Sequence, residues 1–271
     1  YDEAVTLINK GLSRDLAHSQ ARLMSAQVKR AQGDTAKAVT ELENLSKLYP
    51  QSAAFLYQLA MAYLANGDTV KGAGALNQAI TLAPNFADAI VLQAKLNIRK
   101  GDLVAAVNAL RQLVLRRPDI AEARLLLATA YRGQGQLDGA LTIYRQFEEN
   151  FPPSAEIALF KGFVLLQQKK VPDARREFSR AMELQPEYLP ALQQLVRLDL
   201  ADKQFPAARQ RVEAAIAKSP KLAGLQLVLA DIFLAQNDTA GAEAALRKAI
   251  ELQPDAPAPY FLLARIYVGS N

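Results

Sequence analysis

Seven prolines recur along this chain at one spacing. Pro50, Pro84, Pro118, Pro152, Pro186, Pro220 and Pro254 each lie 34 residues from the next. Proline is about 5% of average sequence, so chance gives such a run with odds of roughly 10⁻⁹. A fixed period of about 20 to 50 residues marks a repeat architecture, in which each repeat buries its apolar face only against its neighbours. No other feature limits the fold as much. It leaves the chemistry open, because a repeat scaffold is defined by shape.

With each proline at position 32, the full repeats run 19–52, 53–86, 87–120, 121–154, 155–188, 189–222 and 223–256. Position 8 is small in most copies (Ala26, Ala60, Ala94, Ala128, Gly162 and Ala230), with Val196 the exception. Position 20 is small in all: Ala38, Gly72, Ala106, Ala140, Ala174, Ala208 and Ala242. Small residues at fixed helical positions let two backbones come close. Apolar residues on either side keep helical spacing: Leu56, Leu59, Ala60 and Tyr63, then Leu76, Ala79 and Ile80.

A break separates the two helical stretches. Gly33-Asp34, Gly67-Asp68, Gly101-Asp102 and Asn237-Asp238 put a residue suited to positive φ after the first helix and an N-capping Asp before the second. Where that glycine is missing, Pro172 and Pro206 are expected to set the start of the second helix instead. Each repeat is thus read as helix A, turn, helix B, with the lattice proline ending helix B.

This pattern resembles the tetratricopeptide repeat (TPR) family, best in 53–86 (Leu56, Leu59, Ala60, Tyr63, Gly72, Leu76, Ala79, Pro84) and 121–154 (Leu127, Ala128, Tyr131, Ala140, Tyr144, Phe147, Pro152). The resemblance implies an all-α, right-handed superhelical solenoid of antiparallel helix pairs, with helices A lining a concave groove. Seven full repeats are expected, with half a repeat at each end. Residues 1–18 read as a helix B (Ala4, Ile8, Gly11) and residues 257–271 as a helix A (Tyr260, Leu263, Ala264, Tyr267). Neither end shows a polar capping helix, so the chain is read as a segment of a longer array whose bare ends could self-associate.

Chemistry is hard to build here. The sequence has one histidine, His18, and no cysteine, so a histidine pair, a thiolate zinc site or a Ser-His-Asp arrangement cannot be assembled. Gly72-Ala-Gly74 and Gly133-Gln-Gly135 lack the Lys-Ser/Thr of a phosphate loop, and are read as helix packing and an A–B turn. Carboxylates sit on capping and outer positions, with no buried pair expected. No catalytic residue, metal ligand or cofactor is assigned, and no apolar run reaches the roughly 20 residues of a membrane span.

The formal charge is +5, and residues 155–222 hold 12 basic against 8 acidic side chains. Lys169, Lys170, Arg175, Arg176 and Arg180 are the densest part, without the interleaved aromatics of a nucleic-acid stripe, so nucleic-acid binding is disfavoured. Lys29, Asn97 and Asp199 stand at position 11, where the family has a large apolar residue; their polar heads are expected to reach water past the turn.

What remains is the groove. By resemblance to the family, positions 2, 5, 6, 9, 12 and 13 of helix A face the concave side. The candidate partner-binding residues are Tyr57, Gln58, Met61, Val91, Lys95, Leu125, Arg132, Phe160, Phe163 and Arg197, with Tyr57, Met61, Phe160 and Phe163 preferred as anchors. The Lys/Asn clamp with which some family members hold a C-terminal carboxylate is missing from every three successive repeats, and so is an asparagine ladder. The expected function is a non-catalytic scaffold for a protein or peptide partner. The alternative is a recruiting arm of a larger enzyme. In its Ala/Leu/Gln-rich, cysteine-free style the chain is similar to bacterial repeat arrays that accompany exopolysaccharide assembly and export, which would place it in the periplasm or on the outer membrane.

Overall fold

The computed structural model describes residues 3, 6–8, 10 and 19–269. Fifteen α-helices lie within residues 19–269, and the described residues include no strand. Odd-numbered helices are α1 (Ser19–Ala31), α3 (Ala53–Ala65), α5 (Ala87–Lys100), α7 (Ala121–Gly133), α9 (Ala155–Gln167), α11 (Leu189–Ala201), α13 (Ala223–Ala235) and α15 (Pro257–Gly269). Even-numbered helices are α2 (Thr35–Leu48), α4 (Thr69–Leu82), α6 (Leu103–Arg116), α8 (Leu137–Asn150), α10 (Val171–Leu184), α12 (Phe205–Lys218) and α14 (Thr239–Leu252). Both series begin at intervals of 34 residues.

The prolines act where the spacing predicts. Even helices stop two residues before a lattice proline, and the intervening residue leaves helical geometry: Tyr49, Ala83 and Arg117 have φ of −127°, −134° and −131° with ψ between 64° and 82°. Clash with the proline ring excludes the α region for that residue, so the helix ends there for a steric reason. Gln185, Ser219 and Gln253 repeat the geometry.

At the tighter turn, Gly33, Gly67, Gly101 and Gly135 take positive φ, as does Asn237. The asparagine is the least strained substitute for glycine there. Asp68, Asp102 and Asp238 accept from the amides of Lys71, Ala105 and Gly241, each capping its helix. Asp34 makes no side-chain cap and instead pairs with Lys37 at 2.6 Å. The two turns without glycine differ from expectation. Lys169 and Lys203 themselves occupy the left-handed region, at φ 61° and 56°. Pro172 and Pro206 do sit in the first turn of α10 and α12, but they do not remove the need for a left-handed residue. The turn closes only through that conformation, whatever side chain stands there.

Two compact bodies divide the chain, residues 1–136 and 137–271. In the first, a continuous core joins Ala26, Leu42, Leu45, Leu56, Leu59, Leu76, Ala79 and Leu96. In the second, one cluster centres on Phe178 and Leu195, another on Leu192, Val212 and Ile232, and a third on Ala230 and Leu246. The small positions do what their spacing implies. Ala26, Ala60, Ala94, Ala128, Ala38, Ala106, Ala174 and Ala242 are completely buried. A Cβ on Gly72 would lie 2.8 Å from Leu64, so this glycine admits close packing of α4 on α3. Gly74, by contrast, faces open space.

The N-terminal half-repeat falls largely on Ala4, Gly11 and other residues outside the described set, as does His18; Ile8, which is described, is buried. In α15, Leu263 is buried while Tyr260 and Tyr267 are about half exposed, Tyr267 donating to Glu243 at 2.7 Å.

Candidate functional site

In the first body, three successive odd helices form a cleft of about 340 Å³ without help from any even helix. Tyr57, Met61 and Leu64 come from α3, Asp88, Val91, Leu92 and Lys95 from α5, and Glu122 from α7. This follows from helical spacing: 57, 61 and 64 lie three or four residues apart, as do 88, either of 91 and 92, and 95, so each set shares one face.

Four of the sequence-derived candidates meet here: Tyr57, Met61, Val91 and Lys95. The Tyr57 ring rests against Phe86 with centroids 5.1 Å apart. Burial first, then the neighbouring Asp88 carboxylate, raises its hydroxyl above the ordinary phenol range, so the group is a neutral donor at any physiological pH. Lys95 reaches Glu122 at 2.5 Å, bridging α5 and α7 across the cleft wall. Both partners are about half exposed, so this pair is worth well under about 1 kcal/mol and is easily exchanged for a partner's charges. The cleft thus combines apolar Met61, Leu64, Val91 and Leu92 with charged Asp88, Lys95 and Glu122 of both signs.

Gln58, Leu125 and Arg132 are half-buried on the same helices but do not line this cleft. Leu64, Asp88 and Glu122 do, and sequence reading passed over them. They stand at positions 12 and 2 of the repeat, inside the set already assigned to the concave side, so the phase alone could have named them.

In the second body the aromatic candidates are spoken for. Phe160 stacks on the buried Tyr144 at 5.9 Å, and Phe163 meets the fully buried Phe178 edge-on at 5.7 Å. Phe163 belongs to the packed core cluster of its body. Arg197 on α11 is exposed and acts on Asp231 on α13, as does Arg265 on α15. Partial burial raises the Asp231 pKa, and the two arginines oppose that rise.

Two ionic clusters lie in this body, each around one buried charge. Lys161, 7% exposed on α9, donates to Glu148 at 3.0 Å and to Glu177 at 2.8 Å, while Arg180 reaches Glu148 at 2.9 Å. Asp199, 3% exposed on α11, lies between Arg175 and Arg211, the latter at 3.1 Å, and Arg175 also holds Asp202 at 2.9 Å. Asp199, at position 11, therefore does not reach past the turn to water. Lys29 likewise turns to Glu41 at 2.6 Å, and Asn97 accepts from Gln93. Lys29 and Asp199 find counter-charges on neighbouring even helices, α2 for Lys29 and α10 and α12 for Asp199, whereas Asn97 pairs one turn back on its own helix.

The same contacts explain the basic run. Arg175, Arg176 and Arg180 are ion-paired with Asp199 and Asp202, with Asp173, and with Glu148 and Glu177. Their charge is largely cancelled within the fold, which weakens any phosphate-binding role. Among the described residues no cluster of three or more His, Cys, Asp or Glu could hold a metal ion, and no helix is long and apolar enough to cross a membrane.

Residues 23–86, 91–155, 125–188 and 194–257 match the Tetratricopeptide repeat family. Among curated proteins no sequence relative matches the chain. A tetratricopeptide repeat protein from Parabacteroides merdae has a similar structure, with a TM-score of 0.69 at 17% identity over 92% of this chain and 98% of that one. Yeast Tom70 is similar with a TM-score of 0.68 at 16% identity, covering 99% of this chain and 59% of Tom70. MamA from Desulfovibrio magneticus RS-1 has a TM-score of 0.58 at 20% identity, over 63% of this chain and 96% of the MamA chain. At these identities the likeness is one of fold.

Proposed function

This chain belongs to the tetratricopeptide repeat family, and from that premise we propose that it is a non-catalytic scaffold holding an extended or helical segment of a partner protein along the faces of its odd helices. The observation that carries the reading is the cleft of Tyr57, Met61, Val91 and Lys95, built only from the first helices of successive repeats. Its anchors are an aromatic ring and a methionine, side chains that adapt to and grip apolar partner residues. Its rim offers one cation and two anions, Lys95, Asp88 and Glu122, which would set the register of the bound segment. The repeat boundaries at every thirty-fourth residue belong to the same proposal, because they decide which residues share that face.

Phe160 and Phe163 are poor probes of this surface, since their rings support Tyr144 and Phe178. The test therefore uses Met61→Glu with Lys95→Glu, made together. Pull-down from the source cells should lose its captured partner while the helical circular dichroism stays unchanged. Capture that survives the double change overturns the cleft assignment. Recruitment on behalf of a larger enzyme, or of a polysaccharide export machine, would use the same cleft, and the identity of the captured protein separates those readings. Association through the chain ends is checked by sedimentation of the 271-residue chain across concentration.

A further inference from the structure

The register that builds the cleft of the first body carries charge in the second. Tyr57 and Met61 on α3, and Val91 and Lys95 on α5, fall at positions 5 and 9 of their repeats and line the cleft. At position 9 further along stand Arg197 on α11, Asp231 on α13 and Arg265 on α15, each 34 residues from the next. The row alternates in sign. Gln193 and Leu227, one turn earlier on α11 and α13, hold position 5 and add no charge.

These three charges are treated differently from others on the odd helices of this body. Lys161 on α9 and Asp199 on α11 are buried and neutralised by side chains of even helices. Arg197, Asp231 and Arg265 are exposed, and none of them closes an ion pair or a side-chain hydrogen bond among the described residues. They are neighbours all the same, since both arginines act on the Asp231 carboxylate through space. Asp231 is open to solvent, yet the protein around it raises its pKa, as happens to a side chain in a hollow. The row is therefore a set of charges that face one another without touching, and a third party can bridge them.

Spacing narrows what that party can be. Packed helices lie about 8–10 Å apart. A polyproline II segment sets every third side chain on one line, about 9 Å from the last, and so matches the row. A β-strand repeats on one face every second residue, about 7 Å, and falls out of step. We infer that Arg197, Asp231 and Arg265 dock a partner segment in the polyproline II conformation that carries an acidic, a basic and an acidic side chain at every third residue. The two acids pair with the arginines and the base with Asp231, so the order of signs fixes the register. The inference rests on the reading that the odd helices hold the partner, and it states the chemistry of the stretch held by the second body.

The experiment titrates the 271-residue chain, followed by two-dimensional NMR, with acetyl-Glu-Pro-Pro-Lys-Pro-Pro-Glu-amide and with acetyl-Glu-Pro-Pro-Glu-Pro-Pro-Glu-amide. Both should shift amides of α11, α13 and α15, and the first should bind about five to ten times more tightly, because its middle contact changes from repulsion to attraction. Asp231→Arg, at an exposed position, should reverse that order while the helical circular dichroism stays unchanged. Met61→Glu with Lys95→Glu, which lie in the other body, should leave both affinities as they are. Loss of partner capture in that double variant and loss of peptide discrimination here are thus separate results, and either reading can fail alone. Equal affinity for the two peptides, an order that survives Asp231→Arg, or an absence of shifts on α11, α13 and α15 would overturn the inference.

Discussion

Gly162 offers the sharpest test of how closely the helices of the second body pack. It lies on α9 at the small position of the repeat, under the ring of Phe178 from α10. A Cβ added there would stand 2.6 Å from Phe178 Cδ1 and 2.8 Å from Cζ, distances that real methyl groups do not reach. The ring has little room to retreat, because Phe178 is fully buried and Phe163 meets it edge-on at 5.7 Å. Two terms compete in Gly162→Ala. Alanine is better than glycine inside a helix by about 1 kcal/mol. Overpacking a filled core costs about 1–3 kcal/mol, and a clash with ring atoms rather than a flexible chain end belongs at the upper end. The net expectation is a loss of about 1–2 kcal/mol, read as a lower urea midpoint at unchanged slope. Phe178→Leu removes the ring edge and is itself destabilising by about 1–3 kcal/mol through the cavity it leaves. Combined with Gly162→Ala, the two should cost less than their sum by about 1 kcal/mol or more. A Gly162→Ala protein as stable as the parent, or an additive double mutant, would show that α9 and α10 can separate at little cost.

Three further outcomes follow from the same contacts. Lys161→Met leaves Glu148 and Glu177 facing each other with only Arg180 between, and should destabilise the second body by about 3–5 kcal/mol; Lys161→Met combined with Glu148→Gln and Glu177→Gln should recover most of this, as thermal melts can show. Tyr63 donates to Glu43 at 2.6 Å, and burial with that carboxylate pushes its hydroxyl up to about 12. The folded state therefore holds the proton more tightly than the unfolded one, whose ordinary value is near 10. This contribution is fully present below pH 10 and is lost as pH rises towards 12, a fall that Tyr63→Phe should reduce in urea titrations at each pH. Lys169→Gly should stabilise by about 1 kcal/mol, because lysine at φ 61° carries left-handed strain that glycine does not; an equal or lower urea midpoint would count against it.

Much of this molecule is determined by its sequence alone. The 34-residue lattice, the small residues at two positions and the Gly-Asp turns act through local sterics: proline excludes helix at the residue before it, and a left-handed turn wants no Cβ. Such rules operate within a few residues, so they can be read from one strand of text. They placed the helices and, through their phase, brought Tyr57, Met61, Val91 and Lys95 to one face. Tertiary structure decided what depends on neighbours distant in sequence. Phe163 was an apparent groove anchor until Phe178 was seen beneath it. Asp199 was expected to reach water, yet Arg175 and Arg211, 24 and 12 residues away, hold it inside. Local geometry sets where a side chain starts, and only the packed helices around it decide whether it meets water or a counter-charge.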